Sequence, residues 1–168
     1  PKCVTGGRVA FFSLQMTSDQ IATRILSERS SINSFKIRKG DLDEHDFKLL
    51  REATDELKNL PLFVDDKPGL QVQQLAMRAR RRKRTNGLEF IVIDDLQALI
   101  SNSRNRKETR TQTADRTMSI LKVLASELDV PILATSGINR SVERRKDKRP
   151  RLADLSEGSS IEAYADVI

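Results

Sequence analysis

Residues 90–99 read FIVIDDLQAL. Four apolar residues follow one another without alternation and end in two adjacent carboxylates, Asp94 and Asp95. A strand with one wet face alternates apolar and polar residues. An unbroken apolar run instead fits a strand covered on both faces, as in parallel sheets. RVAFFS (8–13), PLFVDD (61–66) and VPILATS (130–136) have the same character, and ADVI (165–168) starts a fifth such run. Helical spacing fills the gaps. Residues 17–30 open with Thr17 and Gln20 at capping-box separation and place Ile21, Ile25 and Leu26 on one face. Residues 43–59 carry Phe47, Leu50, Ala53 and Leu57 at helical intervals. Residues 71–86 carry Val72, Leu75, Ala76 and Ala79 and stop at Asn86-Gly87, and residues 112–128 carry Met118, Leu121, Leu124, Ala125 and Leu128. Strand and helix alternate, which predicts an α/β fold with a mostly parallel sheet flanked by helices. Residues 101–113 and 140–160 read as long polar loops.

The totals narrow the class. A chain of 168 residues suits one domain. Its single cysteine, Cys3, excludes a disulfide framework or a multi-cysteine metal site and matches a reducing cytoplasm. No apolar run approaches the roughly 18 residues of a membrane span, and residues 1–14 lack a signal-peptide pattern. The opening, PKCVTGG, has no initiator Met and reads as a trimmed fragment. A net charge of +6 favours polyanionic partners, nucleic acid above all. Six Phe, one Tyr and no Trp argue against a platform built on aromatic stacking. His45, the only histidine, lies in the acidic helix start DLDEHD and reads as an exposed helix residue without a role.

The acid at the strand end admits two readings. In open parallel sheets ligands bind beyond the carboxyl ends of the strands, where Asp94 falls. An apolar run closing in Asp is the Walker B pattern. One carboxylate at a rigid strand tip suffices there, because nucleotide-bound magnesium keeps most of its waters. The other reading is an Asp that merely caps the next helix. A Walker A loop, G-x-x-x-x-G-K-[ST], would separate them. None occurs: Gly6-Gly7 lacks the Lys and Ser/Thr and precedes a strand. The first strand continues into SLQM and the fourth into TSGINR (135–140), which places further polar residues at the same edge.

Taken in order, VAFFSLQM, QIATRILSE, KIRKGDL, LPLFVDD, RARRRKR, FIVIDDLQAL, LKVLASELDVPILATS, NRSVERRKDKRP and DLSEGSSIEAYADVI resemble the DnaB-type replicative helicases. The resemblance covers nearly all 168 residues as one partial domain, 1–168, of the C-terminal RecA-like motor, a P-loop NTPase core. It implies a hexameric ring of identical subunits that couples hydrolysis of ATP with Mg2+ to translocation on single-stranded DNA. Primase and a helicase loader are further implied partners, and no membrane is involved. The family's Walker A would lie before Pro1 and its Lys-x-Arg finger after Ile168, so this segment alone is expected neither to bind ATP tightly nor to hydrolyse it.

The resemblance assigns Asp94 to magnesium and, with Ser136, to the nucleotide. Gln15 stands where the motif SLEM has its catalytic Glu, and Gly137 where S-Q-x-N-R has a Gln assigned to phosphate sensing. A Gln can hydrogen-bond the attacking water but cannot accept its proton, and a general base is worth about 10²–10⁴ in rate. These two departures support an alternative: a catalytically degenerate RecA-like module that binds DNA or partner subunits without hydrolysing ATP. Asp95 replaces the family's usual Tyr and reads as incidental, a cap at most. DLSEGSSIE resembles the family's inner DNA loop and puts Ser156, Glu157 and Ser159 at its phosphate-gripping positions. The family has Arg at 156 and Gly at 159, so a weaker grip is expected. Arg144, Arg145, Lys148 and Arg149 lead into that loop. Arg104, Arg106, Lys107 and Arg110, in SNSRNRKETR (101–110), belong to a second candidate channel loop. The run RARRRKR (78–84) reads as a solvated helix end and not as a DNA surface.

Overall fold

The computed structural model describes residues 6–168, so Cys3 and the opening PKCVT lie outside the described residues. Four parallel strands form one sheet: β1 (Val9–Ser13), β2 (Leu62–Asp65), β3 (Phe90–Asp94) and β4 (Ile132–Ala134). Their order is β2-β1-β3-β4. Each crossover contains helix: α1 (Ser18–Ser30), α2 (Ser34–Lys39) and α3 (Glu44–Lys58) between β1 and β2, α4 (Val72–Asn86) between β2 and β3, and α5 (Leu96–Asn102) with α6 (Arg110–Leu128) between β3 and β4. A last helix, α7 (Gly158–Tyr164), follows two short 3₁₀ turns at Arg140–Arg144 and Leu152–Asp154.

The helix starts follow from local chemistry. The Thr17 hydroxyl accepts from the Gln20 amide N–H while the Gln20 side chain accepts from the Thr17 N–H, the capping box read from their spacing. Asp43 and Asp46 form a second box at α3, and Thr109 with Gln112 a third, which starts α6 two residues before the position expected from its apolar spacing. Gly87 ends α4 with φ +75°. A Cβ there would stand 2.6 Å from the end of the exposed Arg8 side chain, which can move aside, so it is the positive φ of the turn that calls for glycine.

The core lies between the sheet and the α4–α5–α6 layer. Ala10, Phe12, Ile91 and Ile93 meet Leu75, Leu99 and Leu124, all of them nearly or fully buried. The other sheet face is covered less: Phe11 and Val92 are half-buried and Leu133 is 55% exposed. The apolar runs thus predicted the parallel sheet correctly but overstated how evenly the described residues cover its two faces.

Two further expectations are corrected. Residues 165–168 form no strand; Val167 is 89% exposed. A strand exists only through a ladder with a neighbour, and no described strand pairs with this segment. The polar loops are shorter than their composition suggests. α5 extends into the first and α7 occupies the end of the second, because Leu96, Leu99, Ile100 and Ile161 find buried positions against α6.

Candidate functional site

Parallel register carries the strand tips to one edge. Ser13 pairs with Asp94, and Ile93 pairs with Ala134. The ladder continues past the strands: Leu14 N–H donates to the Asp94 carbonyl (2.7 Å), and Leu96 N–H to the Thr135 carbonyl (3.0 Å). Gln15, Asp94, Asp95, Ser136 and Gly137 therefore occupy the same carboxyl edge, as expected. Asp94 Oδ1 accepts the Thr135 hydroxyl at 2.5 Å. A hard carboxylate oxygen on a rigid strand end fits a magnesium ion that retains its waters. Among the described residues no group of three or more His, Cys, Asp or Glu is placed to hold a metal ion.

Gln15 lies on a turn closed by Ser13, whose hydroxyl donates to the Met16 carbonyl (2.7 Å) and accepts the Met16 N–H (3.2 Å). The turn leaves Gln15 exposed, and its Nε2 donates to Asp95 Oδ2 at 2.6 Å. Asp95 also caps α5 by accepting the Ala98 N–H through Oδ1 at 2.8 Å. The reading of Asp95 as incidental is thus corrected: one carboxylate holds both the helix start and the Gln15 side chain.

Sequence reasoning missed Gln97. Its Nε2 donates to the Ser136 hydroxyl (2.8 Å) and the Ser156 carbonyl (3.4 Å), and its Oε1 accepts the Gly137 N–H (2.9 Å). The only signal in the sequence was a polar residue set within the apolar run LQALI (96–100), and the structure leaves it half-buried. A Cβ on Gly137 would meet only Gln97, at 3.8 Å, so space alone does not demand glycine there.

The segment after β4 runs antiparallel to the candidate DNA loop. Ile138 bridges Leu155, Asn139 N–H donates to the Asp154 carbonyl (2.7 Å), and Ser156 N–H to the Gly137 carbonyl (3.1 Å). Asp154, 6% exposed, anchors this pair of segments. Its Oδ2 accepts the Arg151 N–H (2.7 Å) and the Arg145 guanidinium (2.6 Å). Arg145 donates as well to the Arg149 carbonyl (3.2 Å), so this residue, expected on the DNA surface, serves as an internal latch. Arg144, Lys148 and Arg149 have exposed side chains. Glu157 adopts φ +62° and pairs with Arg110 at 2.5 Å, joining the start of α6 to the 154–160 loop. Ser159 is exposed on the first turn of α7, Ser156 is half-buried, and Arg104 and Arg106 are exposed on the 103–109 loop.

The basic end of α4, expected to be solvated, has partners within the chain for four of its six cations. Arg78 pairs with Asp65, Arg80 forms a bidentate pair with Glu127, Arg82 lies 3.6 Å over the Phe63 ring, and Lys83 donates to the Leu88 carbonyl (2.9 Å). His45 is exposed on α3. No helix among the described residues is long and apolar enough to cross a membrane.

The Arg151 backbone N–H, helped by Arg145, holds the Asp154 carboxyl below the ordinary carboxylate range. A depressed folded-state pKa gives stability that is present above the unfolded value and lost as pH falls through the folded one. The stability difference between the native chain and Asp154→Asn should therefore stay constant from pH 7 to about 5 and shrink below about 4. Urea denaturation across that pH series checks it.

Comparisons with known proteins give the family. The family model described as "DnaB-like helicase C terminal domain" matches residues 2–168. The replicative DNA helicase DnaB of Geobacillus stearothermophilus is 42% identical over 164 residues, which is 98% of this chain and 36% of that protein. The replicative DNA helicase DnaC of Bacillus subtilis (strain 168) is 40% identical, with the same coverage. The chain thus spans about a third of the length of these relatives. A DnaB-like replicative helicase solved for its interactions with primase superposes with TM-score 0.89 at 34% identity, over 98% of this chain and 40% of that one. The ATPase domain of G40P gives TM-score 0.89 at 32% identity, over 98% and 58%. On the family match over residues 2–168 and the superposition of its fold, the chain belongs to the DnaB-like helicase C-terminal domain family and has its RecA-like fold.

Proposed function

We propose that this segment is part of a replicative helicase motor that couples ATP hydrolysis to movement along single-stranded DNA within a hexameric ring of identical subunits. The observation that carries the reading is the single carboxyl edge holding Gln15, Asp94 and Ser136, tied through Gln97 to the loop at Ser156. Asp94 would hold Mg2+, which supplies charge neutralisation on the transferring phosphate. Gln15 would orient the attacking water by accepting a hydrogen bond. The Ser136 hydroxyl and the Gly137 N–H are both bound to Gln97, which also donates to the Ser156 carbonyl, so Gln97 would link the strand tips to the 154–160 loop. Arg144, Lys148, Arg149, Ser156 and Ser159, with Arg104 and Arg106, form the proposed DNA side. Primase, a loader and a cytoplasmic location belong to the same reading.

A second reading, a module that binds DNA or neighbouring subunits without hydrolysis, is favoured by Gln at 15 and by Gly137, which offers no side chain to a phosphate. Nucleotide hydrolysis by the full-length protein containing this segment, with and without single-stranded DNA, separates the two.

The DNA side is tested with this chain itself by fluorescence anisotropy on labelled oligothymidine. Binding should be weak and independent of sequence, with a log–log salt slope of about −0.7 per neutralised phosphate. Replacing Arg144, Lys148 and Arg149 together by Ala should flatten the slope and weaken all sequences alike. Replacing Arg80, Arg81 and Arg82 should do much less, because Arg80 and Arg82 already have internal partners. Greater loss from the second set would move the DNA surface to α4.

A further inference from the structure

Gln15 and Asp95 lie eighty positions apart in the chain and meet at 2.6 Å. A carboxylate only accepts hydrogen bonds, so the Gln15 amide must turn its nitrogen toward Asp95. Its Oε1 is then directed away from the carboxylate. An exposed Gln without such a partner samples many rotamers and both amide orientations. Asp95 is itself fixed, by the α5 cap at Ala98 and by the Leu96–Thr135 hydrogen bond that follows it. The negative charge beside the Gln15 N–H also polarises the amide, which makes Oε1 a stronger acceptor.

We infer that Asp95 is a positioning residue that locks Gln15 in the one amide orientation able to accept a hydrogen bond from the attacking water; this rests on the hydrolytic reading above. Gln15 and Asp95 are on this view a matched pair. A glutamate in place of Gln15 would set two carboxylates within hydrogen-bond distance with no donor between them, so the new side chain would be repelled from Asp95. An amide in place of the Asp95 carboxylate would remove that conflict, because its nitrogen could donate to the new glutamate.

Asp95→Asn is a clean probe. Asn caps helices as well as Asp does, so α5 keeps its start. Its single side-chain oxygen remains with Ala98, and Gln15 loses its acceptor. Two measurements follow. In this chain, the Gln15 side-chain amide resonances should shift in Asp95→Asn. In the full-length protein, Asp95→Asn should lower kcat for ATP about 10- to 100-fold with KM within about twofold, at an unchanged thermal midpoint. Gln15→Glu alone should fall below Gln15→Glu/Asp95→Asn by about tenfold or more, a non-additivity expected only of coupled residues. Unchanged Gln15 resonances, an unchanged kcat in Asp95→Asn, or equal rates for Gln15→Glu and the double variant would overturn the inference. A native full-length protein that hydrolyses nothing would instead sink the hydrolytic reading, and the resonances would still decide whether Asp95 positions Gln15.

Discussion

Asp94→Asn in the full-length protein is expected to reduce ATP hydrolysis by about 10²–10³, the scale for removing one preorganised electrostatic contact to a transition state. The side chain keeps its shape, and its oxygen can still accept the Thr135 hydroxyl. What disappears is the formal charge at the end of β3, which the proposed Mg2+ site requires. Folding should be untouched, so the thermal midpoint is the control. Steady-state hydrolysis measured against magnesium concentration is the assay, and a variant with native rates would remove Asp94 from the site.

Phe12→Ala should destabilise the chain by about 3–5 kcal/mol. Phe12 is 1% exposed in β1, flanked on both sides by β2 and β3, with the α4–α6 layer against it. A cavity at the centre of a sheet cannot collapse without moving two neighbouring strands. At about 2–4 °C per kcal/mol for a domain of this size, the midpoint should fall by roughly 6–20 °C. Phe47→Ala is the contrast. Phe47 is 60% exposed on α3, and its loss should change stability by less than about 0.5 kcal/mol. Differential scanning calorimetry on both variants checks the pair; similar losses would show that the described core is wrongly centred.

Particular elements show why part of this was legible beforehand. The capping box at Thr17 and Gln20 involves neighbours three apart, so spacing alone announced it. FIVID was readable as a buried strand because parallel pairing imposes an unbroken apolar run. The acid after it fell at the ligand edge because a parallel sheet has only one carboxyl edge. ADVI, by contrast, has strand composition without a strand partner among the described residues, and composition cannot supply one.

By itself, then, the sequence determined the four strands, the four longer helices, the parallel sheet and the edge on which Asp94, Gln15 and Ser136 lie, while α2, α5 and α7 were not read from it. What was read rests on local spacing or on a rule that every parallel sheet obeys. Only the tertiary structure decided which polar groups meet across that edge. Gln15 with Asp95, Gln97 with Ser136 and Ser156, Arg145 with Asp154, and Arg110 with Glu157 join segments whose separation local patterns do not encode. A charged or amide side chain reads alike in sequence whether it faces solvent or a partner. Arg145 was expected on the DNA surface and became a latch, and Asp95, read as incidental or at most a cap, came to hold both the helix start and Gln15. Their roles depend on which acceptors and donors the packed helices bring within about 3 Å, and that distance is set by the fold as a whole.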